Sequence, residues 1–383
     1  MKLDKNKKNV CVIFGGKSPE HDISIITGVQ VLHALDENRF NILPIYITKE
    51  GDFLLNQDYF DISVFANIER VNGKSVIFSQ GKKLLSIKGN KAKTICQIDF
   101  AFLALHGGGG EGGEVQGMLD SCEVPYSSAG VLGSAISQSK TLTKQVCSSL
   151  HIPQIKHTIV FEREKEDVLS KTKDLSYPLI VKPSSLGSSI GITICKTKKD
   201  LKDALSFAFL FDREVLVEEK LTSFRELNMA FLGNAFEVEN SFAEDVTNST
   251  SFLSFEDKYI GGSVKGKGME NMGREIIKTQ DEVCNKMAEY GKTLFRHLSL
   301  KGIVRIDYLL DTKTNTLYLN EINSIPGSMA NYLWQGKYSF RALLNKVYDI
   351  CTKQSSEDAK KVTEFSSSVL SSFSGSGKIF VNK

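Results

Sequence analysis

A chain of 383 residues is too long for one compact core and is expected to divide into two or three domains. Apolar residues at 41%, charged residues at 24% and a net charge of +3 describe an ordinary globular protein with no basic patch for nucleic acid or an anionic membrane. No apolar run reaches the roughly 20 residues of a membrane span, the polar start MKLDKNKKNV lacks a signal-peptide core, and the seven scattered cysteines form no C-x-x-C pair, so a cytoplasmic protein with reduced thiols is expected.

The unbroken apolar run at 10–14 predicts a buried strand, and Gly15-Gly16 turns it into a helix with Ile23, Ile26, Val29, Val31, Leu32 and Leu35 at helical spacing. A strand at 41–48, short hairpin-like pieces over 49–94, a second buried strand at 98–105 and a helix at 114–122 follow. That alternation predicts an N-terminal doubly wound parallel-sheet α/β domain over 1–135. A second unit, 136–222, reads as helix 139–150, strand 155–161, a charged helix near 163–171, strand 179–182, loop 183–189, strand 190–195, helix 199–209 and strand 215–219. Its closely spaced strands favour an antiparallel α+β layer. The third unit, 223–351, carries strands 227–232 and 236–240, a polar loop 245–268, helix 281–298, and strands 303–310 and 317–322 joined by the turn Asp311-Thr-Lys-Thr-Asn315. A loop longer than about 15 residues inside a compact domain is usually a functional lid or disordered. The Ser-rich tail 352–383 is expected to be weakly ordered.

Several constellations carry chemistry. Alternation along Tyr318-Leu319-Asn320-Glu321-Ile322-Asn323 puts Glu321 and Asn323 on one strand face, and Asp307 can sit opposite them. As a surface hairpin these are ordinary polar residues; as acids on apolar paired strands they need a partner. Three oxygen donors suit a hard cation such as Mg²⁺, with Arg305 as a fixed positive charge beside it. Lys182 ends a strand before the small-residue loop Pro183–Ser189, whose N–H and hydroxyl donors could close over phosphates; a plain hairpin turn is the alternative there. Glu218-Glu219 with Glu226 could accept from ribose or adenine, or form a solvated charge run. Glu20-His21-Asp22 reads as a helix N-terminus with dipole-matched acids, or as a carboxylate for a cationic amine. The tract 106–117 matches Gly107-x-Gly109-x-x-Gly112, a match close to inevitable among so many glycines. Gly261-x-x-x-x-Gly266-Lys267 fails as a P-loop because Gly268 replaces the Ser/Thr.

Taken in series, Phe14-Gly-Gly-Lys-Ser-Pro-Glu20-His-Asp-Ile-Ser24, Ala104-Leu-His-Gly107, Val115-Gln-Gly117, Pro125-Tyr126, Lys140 with Lys144, Ile180-Val-Lys-Pro183, Gly187-Ser-Ser-x-Gly191, Val215-Leu-Val-Glu218, Asp257-Lys-Tyr259, Arg305-Ile-Asp307 and Asn320-Glu-Ile-Asn-Ser-Ile-Pro-Gly327 resemble the D-alanine:D-alanine ligases of the ATP-grasp superfamily. The resemblance runs from about residue 10 to 350 and implies a three-domain ATP-grasp fold mixing α/β and α+β units. It implies that ATP and two Mg²⁺ or Mn²⁺ ions are bound, with Lys140, Lys182 and Lys258 on the phosphates, Glu218 and Glu226 on the adenosine, and Asp307, Glu321 and Asn323 on the metals. One D-alanine carboxylate would become an acyl phosphate attacked by the amine of a second. Arg305 and the Gly327 N–H would stabilise the oxyanion, while Glu20, Ser188 and Tyr259 would orient the reacting groups. The lid carrying Lys258 and Tyr259 would close over them and exclude water. D-alanine and ATP are the partners it implies, with a homodimer left open and no nucleic acid or membrane.

The chain departs from the family pattern at Gly113, at Lys220, at Ser185-Leu186, in the glycine-rich piece 261–268 and in the segment 328–334, which leaves the second substrate least defined. A D-Ala-D-Ser, depsipeptide or other dipeptide ligase is the alternative enzyme, although the resemblance links Tyr259 to amine acceptors and not to D-lactate. A silent binding protein is the alternative of another class.

Overall fold

The computed structural model describes residues 3–246, 274–279, 281–362 and 366–367. The N-terminal sheet has seven strands: β1 (Lys8–Gly15), β2 (Phe40–Ile47), β3 (Phe53–Leu55), β4 (Lys74–Ser79), β5 (Lys83–Lys88), β6 (Lys91–Gln97) and β7 (Phe100–Leu105), in spatial order β6-β5-β4-β3-β2-β1-β7. Only β2-β1-β7 are parallel; β3 to β6 add an antiparallel meander where short hairpin pieces were expected. Strand β1 is buried on both sides, which is why it reads as an unbroken apolar run. Val10, Val12 and Phe14 pack with α1 (His21–Ala34), while Cys11 and Ile13 join the core that holds Leu119 of α3 (Glu114–Ser121). The short helix α2 (Gly108–Gly112) precedes α3.

Helices α4 (Val131–Gln138) and α5 (Lys140–Ser149) lead into an antiparallel sheet of β8 (His157–Phe161), β9 (Leu179–Pro183), β10 (Thr193–Cys195) and β11 (Glu214–Glu219), in order β10-β9-β11-β8. Ser139 caps α5, its hydroxyl accepting from Leu142 N at 3.2 Å. Helix α6 (Val168–Lys171) and helix α7 (Lys198–Ala208) complete this layer. The strand expected at 190–195 begins only at Thr193, because Ser188, Ser189 and Gly191 take positive φ of 51°, 61° and 72° and cannot continue a strand.

The third layer is an antiparallel sheet in order β14-β13-β12-β15-β16, built from β12 (Phe224–Gly233), β13 (Val238–Val246), β14 (Arg274–Ile277), β15 (Gly302–Asp311) and β16 (Thr316–Asn323). Helix α8 (Glu282–His297) packs its buried face on it, and Asp281 caps that helix by accepting from Cys284 N at 2.7 Å. Strand β13 runs to Val246, beyond the expected 236–240, so Asp245 belongs to the sheet and not to the polar loop. The rest of that loop, with Lys258 and Tyr259, lies outside the described residues. Helix α9 (Phe340–Asp358) continues past Cys351, where a tail was expected, because Leu343, Leu344, Val347, Tyr348 and Cys351 are buried against Val10, Phe40 and Phe100 of the N-terminal unit.

Candidate functional site

The hairpin β15–β16 places Arg305 opposite Asn323 and Asp307 opposite Glu321. The register shifts between Asp307 and Tyr308, so Asn320 bulges and Glu321 turns toward Asp307. Asp307 is buried, and Arg305 donates to it twice, Nε to Oδ1 and Nη2 to Oδ2, each at 2.7 Å. That bidentate pair spends two of the five guanidinium donors. Asn323 Nδ2 donates to Asp307 Oδ2 at 3.0 Å, which leaves its carbonyl oxygen as the donor toward a cation. Among the described residues no three His, Cys, Asp or Glu side chains converge on one point, so the set is two carboxylates completed by an amide oxygen. Those are hard oxygen donors of the kind Mg²⁺ takes, so the residues fit the ion.

A cluster of cations centres on Glu218. Its Oε2 lies 3.2 Å from Lys182 Nζ and its Oε1 3.6 Å from Lys144 Nζ, with all three side chains buried. Burial alone would raise the Glu218 pKa, but Lys144 and then Lys182 more than offset it and hold the carboxylate at about 2. Nothing in the sequence around Lys144 shows that it faces a carboxylate from β11. Lys140 Nζ donates to the backbone oxygen of Leu186 in the Ser/Gly loop. Burial lowers the Lys140 pKa, Glu321, Glu20 and Glu218 raise it, and Lys182 lowers it, so this ammonium stands among groups from all three layers. Glu226 lies on β12 opposite Leu309 of β15.

The loop after β9 crosses to the N-terminal unit, where Ser188 Oγ donates to Glu20 Oε1. Glu20 is buried at the N-terminus of α1. Glycines make this approach possible: a Cβ on Gly107, at φ +64°, would lie 2.6 Å from Glu20 Oε2, and one on Gly187 would lie 3.0 Å from the same atom. The glycine tract after β7 therefore serves close packing against Glu20, which a dinucleotide reading misses. The tract also brings in Glu111, whose carboxylate accepts from Gly107 N at 2.7 Å. Burial, with Glu20 next, pushes the Glu111 pKa up to about 8. His106, beside it, is held neutral by burial at about 4 and shares a hydrogen bond of 2.9 Å with Thr27 Oγ1.

Past the hairpin, Gly327–Trp334 makes a short helical segment in which Ser328, Met329 and Ala330 have φ of 51°, 51° and 46°. Left-handed geometry costs roughly 1–2 kcal/mol per non-glycine residue, so surrounding contacts must hold it. A Cβ on Gly327 would meet nothing within 4 Å, so there is open space beside this residue. Hydrogen bonds, ion pairs and strand register thus link Ser188 with Glu20, Lys182 with Glu218, and Arg305 and Asn323 with Asp307 opposite Glu321, and the charge of Lys140 is felt by Glu20, Glu218 and Glu321. Such an arrangement can hold a polyanion on the lysines, cations on the hairpin acids and an amine on Glu20.

Comparison with known proteins identifies the family. The family profile described as "D-ala D-ala ligase N-terminus" matches residues 9–129, and "D-ala D-ala ligase C-terminus" matches 146–349. The D-alanine--D-alanine ligase of Thermosipho melanesiensis is 35% identical over 371 residues, covering 94% of this chain and 98% of that one. The fold is similar to a D-alanine-D-alanine ligase from Coxiella burnetii, with a TM-score of 0.78 at 24% identity over 93% of this chain and 97% of that one. It is also similar to the VanG D-Ala:D-Ser ligase from Enterococcus faecalis, with a TM-score of 0.76 at 27% identity over 90% of this chain and 99% of that one. With both halves matched by the same pair of profiles and a relative aligned almost end to end, the chain belongs to the D-alanine–D-alanine ligase family, on an ATP-grasp fold.

Proposed function

We propose that this chain joins two D-alanines at the expense of ATP, through an acyl phosphate, to give D-alanyl-D-alanine for peptidoglycan precursors made in the cytoplasm. The observation that carries the reading is the position of Lys140, which feels Glu321, Lys182, Glu20 and Glu218 together. One ammonium then links the groups suited to metal, phosphate, amine and adenosine. Bound ATP and two Mg²⁺ or Mn²⁺ ions supply a phosphoryl group and the charge that offsets it, which turns a poor carboxylate oxygen into a good leaving group.

Asp307, Glu321 and Asn323 hold the ions in this reading. Lys140, Lys182 and, from the lid, Lys258 grip phosphate oxygens, while Glu218 and Glu226 accept from the adenosine. Glu20 fixes the ammonium of the first D-alanine, and Ser188 and Tyr259 extend that hydrogen-bond chain toward the second. The amine nitrogen of the second D-alanine attacks the activated carbonyl carbon. A C–N bond forms, the C–O bond to phosphate breaks with its electron pair on phosphate, and the amine proton leaves to phosphate or water. Arg305 and the Gly327 N–H stabilise the oxyanion, since preorganised donors act most strongly where charge develops.

The test is product analysis by mass spectrometry with ATP, Mg²⁺ and D-alanine, D-serine, D-lactate and L-alanine alone and in pairs. D-alanyl-D-alanine should dominate. A dominant D-Ala-D-Ser product would replace the reading with the serine-specific one, and no dipeptide from any pair would reject both.

A further inference from the structure

Glu244, on β13, falls between the strand expected at 236–240 and the loop expected at 245–268, and nothing local in the sequence marks it. The register places it opposite Asn228 of β12, Asn228 opposite Asp307 of β15, and Asp307 opposite Glu321 of β16. One polar row therefore crosses four strands of the C-terminal sheet. Glu244 is fully buried, Asn228 is 5% exposed and Asp307 is 2% exposed, and burying such a row costs stability that an apolar row would not. The metal hairpin accounts for Asp307 and Glu321. Metal binding does not by itself account for Glu244, two strands from Asp307.

Glu244 makes two hydrogen bonds that bear on this, and its charge also acts on Arg305. Its Oε2 accepts from Asn228 Nδ2 at 3.1 Å and from the Tyr332 hydroxyl at 3.2 Å. Tyr332 belongs to the segment that begins at Gly327. The same segment is fixed at its start by Ser328 N, which donates to Thr27 Oγ1 at 3.1 Å, and Thr27 is held by His106. Asn331 Nδ2 closes the turn onto the Ser328 oxygen at 2.8 Å. The left-handed residues 328–330 thus lie between two clamps, one on α1 and one on the sheet. Strained backbone persists only where its surroundings over-determine it.

Resting on the ligase reading above, we infer that Glu244 is a positioning residue: through Tyr332 it sets the Gly327–Trp334 segment, and with it the Gly327 N–H, for amine attack on the acyl phosphate. Asn228 fixes the Glu244 carboxylate and joins it to the Asp307 row. Formation of the acyl phosphate does not need this clamp; its use in the second step does. With the clamp loosened, water reaches the acyl carbon instead of the amine. Its oxygen bonds to that carbon, the C–O bond to phosphate breaks, and free D-alanine and phosphate result.

The experiment measures phosphate released against D-alanyl-D-alanine formed, for the full chain and for Tyr332→Phe, Glu244→Gln, Glu244→Leu and the Tyr332→Phe/Glu244→Gln double variant. The parent should give one phosphate per dipeptide. Tyr332→Phe should lower dipeptide formation roughly tenfold to a hundredfold, the scale of a small misplacement of reacting groups, and release clearly more phosphate than dipeptide. The KM for ATP should stay within about twofold, as expected when the lost contact serves only the later step. Glu244→Gln keeps an acceptor oxygen and should lose less than Glu244→Leu. The double variant should be no worse than the more damaging single one, since both act through one bond. Rate losses with the ratio still at one phosphate per dipeptide, or additive losses, would overturn the inference, and would mark Glu244 as a packing residue even if the leucine variant folds poorly. A parent that makes no dipeptide would instead overturn the ligase reading.

Discussion

Glu321 is the residue on which the metal assignment turns, since the Asn320 bulge aims it at Asp307 from the partner strand. Glu321→Ala should lower turnover by roughly two to three orders of magnitude, the scale of losing one preorganised charge-stabilising group. Thermal stability should move by no more than a few degrees, because the side chain lines a cleft and not the core. Near-normal turnover at saturating Mg²⁺ would reject Glu321 as a ligand. Glu111 makes a second prediction, about stability. Its folded pKa of about 8 lies above the ordinary value of 4.5, mainly from burial and then from Glu20. The folded state therefore holds a proton that the unfolded chain releases, and this contribution is complete below about pH 4.5 and lost as pH rises through about 8. Denaturant unfolding of the metal-free protein should show stability falling across that window, and Glu111→Gln should flatten the fall. An unchanged slope in the variant would assign the pH dependence elsewhere.

At the scale of elements, the loop after β9 and the glycine tract after β7 meet over Glu20, and Gly107 decides whether they can. With Gly107 at φ +64° and its would-be Cβ 2.5 Å from Ser18 Oγ and 2.6 Å from Glu20 Oε2, an alanine must displace the carboxylate. Gly107→Ala should raise the KM for D-alanine at least tenfold, about 1.4 kcal/mol of binding, and leave the KM for ATP unchanged. Equal losses for both substrates would mean a general lesion and not displacement of Glu20. The elements also show what a sequence can display. The hairpin β15–β16 was legible because period-two alternation and a polar turn are local signals. Helix α4 was not, since VLGSAISQ starts after Gly130 with no side-chain cap and no polar stripe. Strand β10 was overread because an apolar Ile190-Gly-Ile-Thr run does not reveal that Ser188 and Ser189 are left-handed.

At the scale of the molecule, the three layers are tied by contacts between residues remote in sequence, and these carried the least sequence signal. Helix α9 completes the N-terminal core from the far end of the chain, so a boundary drawn at 352 cuts an element whose Cys351 is fully buried. The Glu218 cluster joins α5 to β9 and β11, and the Glu244 row joins four strands. Each lysine or acid, read locally, was as consistent with a solvated charge as with a site. The serial order of the motifs gave the family, whereas only the fold gave Glu111, Glu244 and the pairing of Lys144 with Glu218. What these layers assemble, in this account, is a cleft that passes a carboxylate oxygen of D-alanine to phosphate as the peptide bond forms. The most direct test uses D-alanine with both carboxylate oxygens labelled with ¹⁸O, with ATP and Mg²⁺, and follows the label by mass spectrometry. One ¹⁸O should appear in the inorganic phosphate for each D-alanyl-D-alanine formed; dipeptide accompanied by unlabelled phosphate would rule out the acyl phosphate.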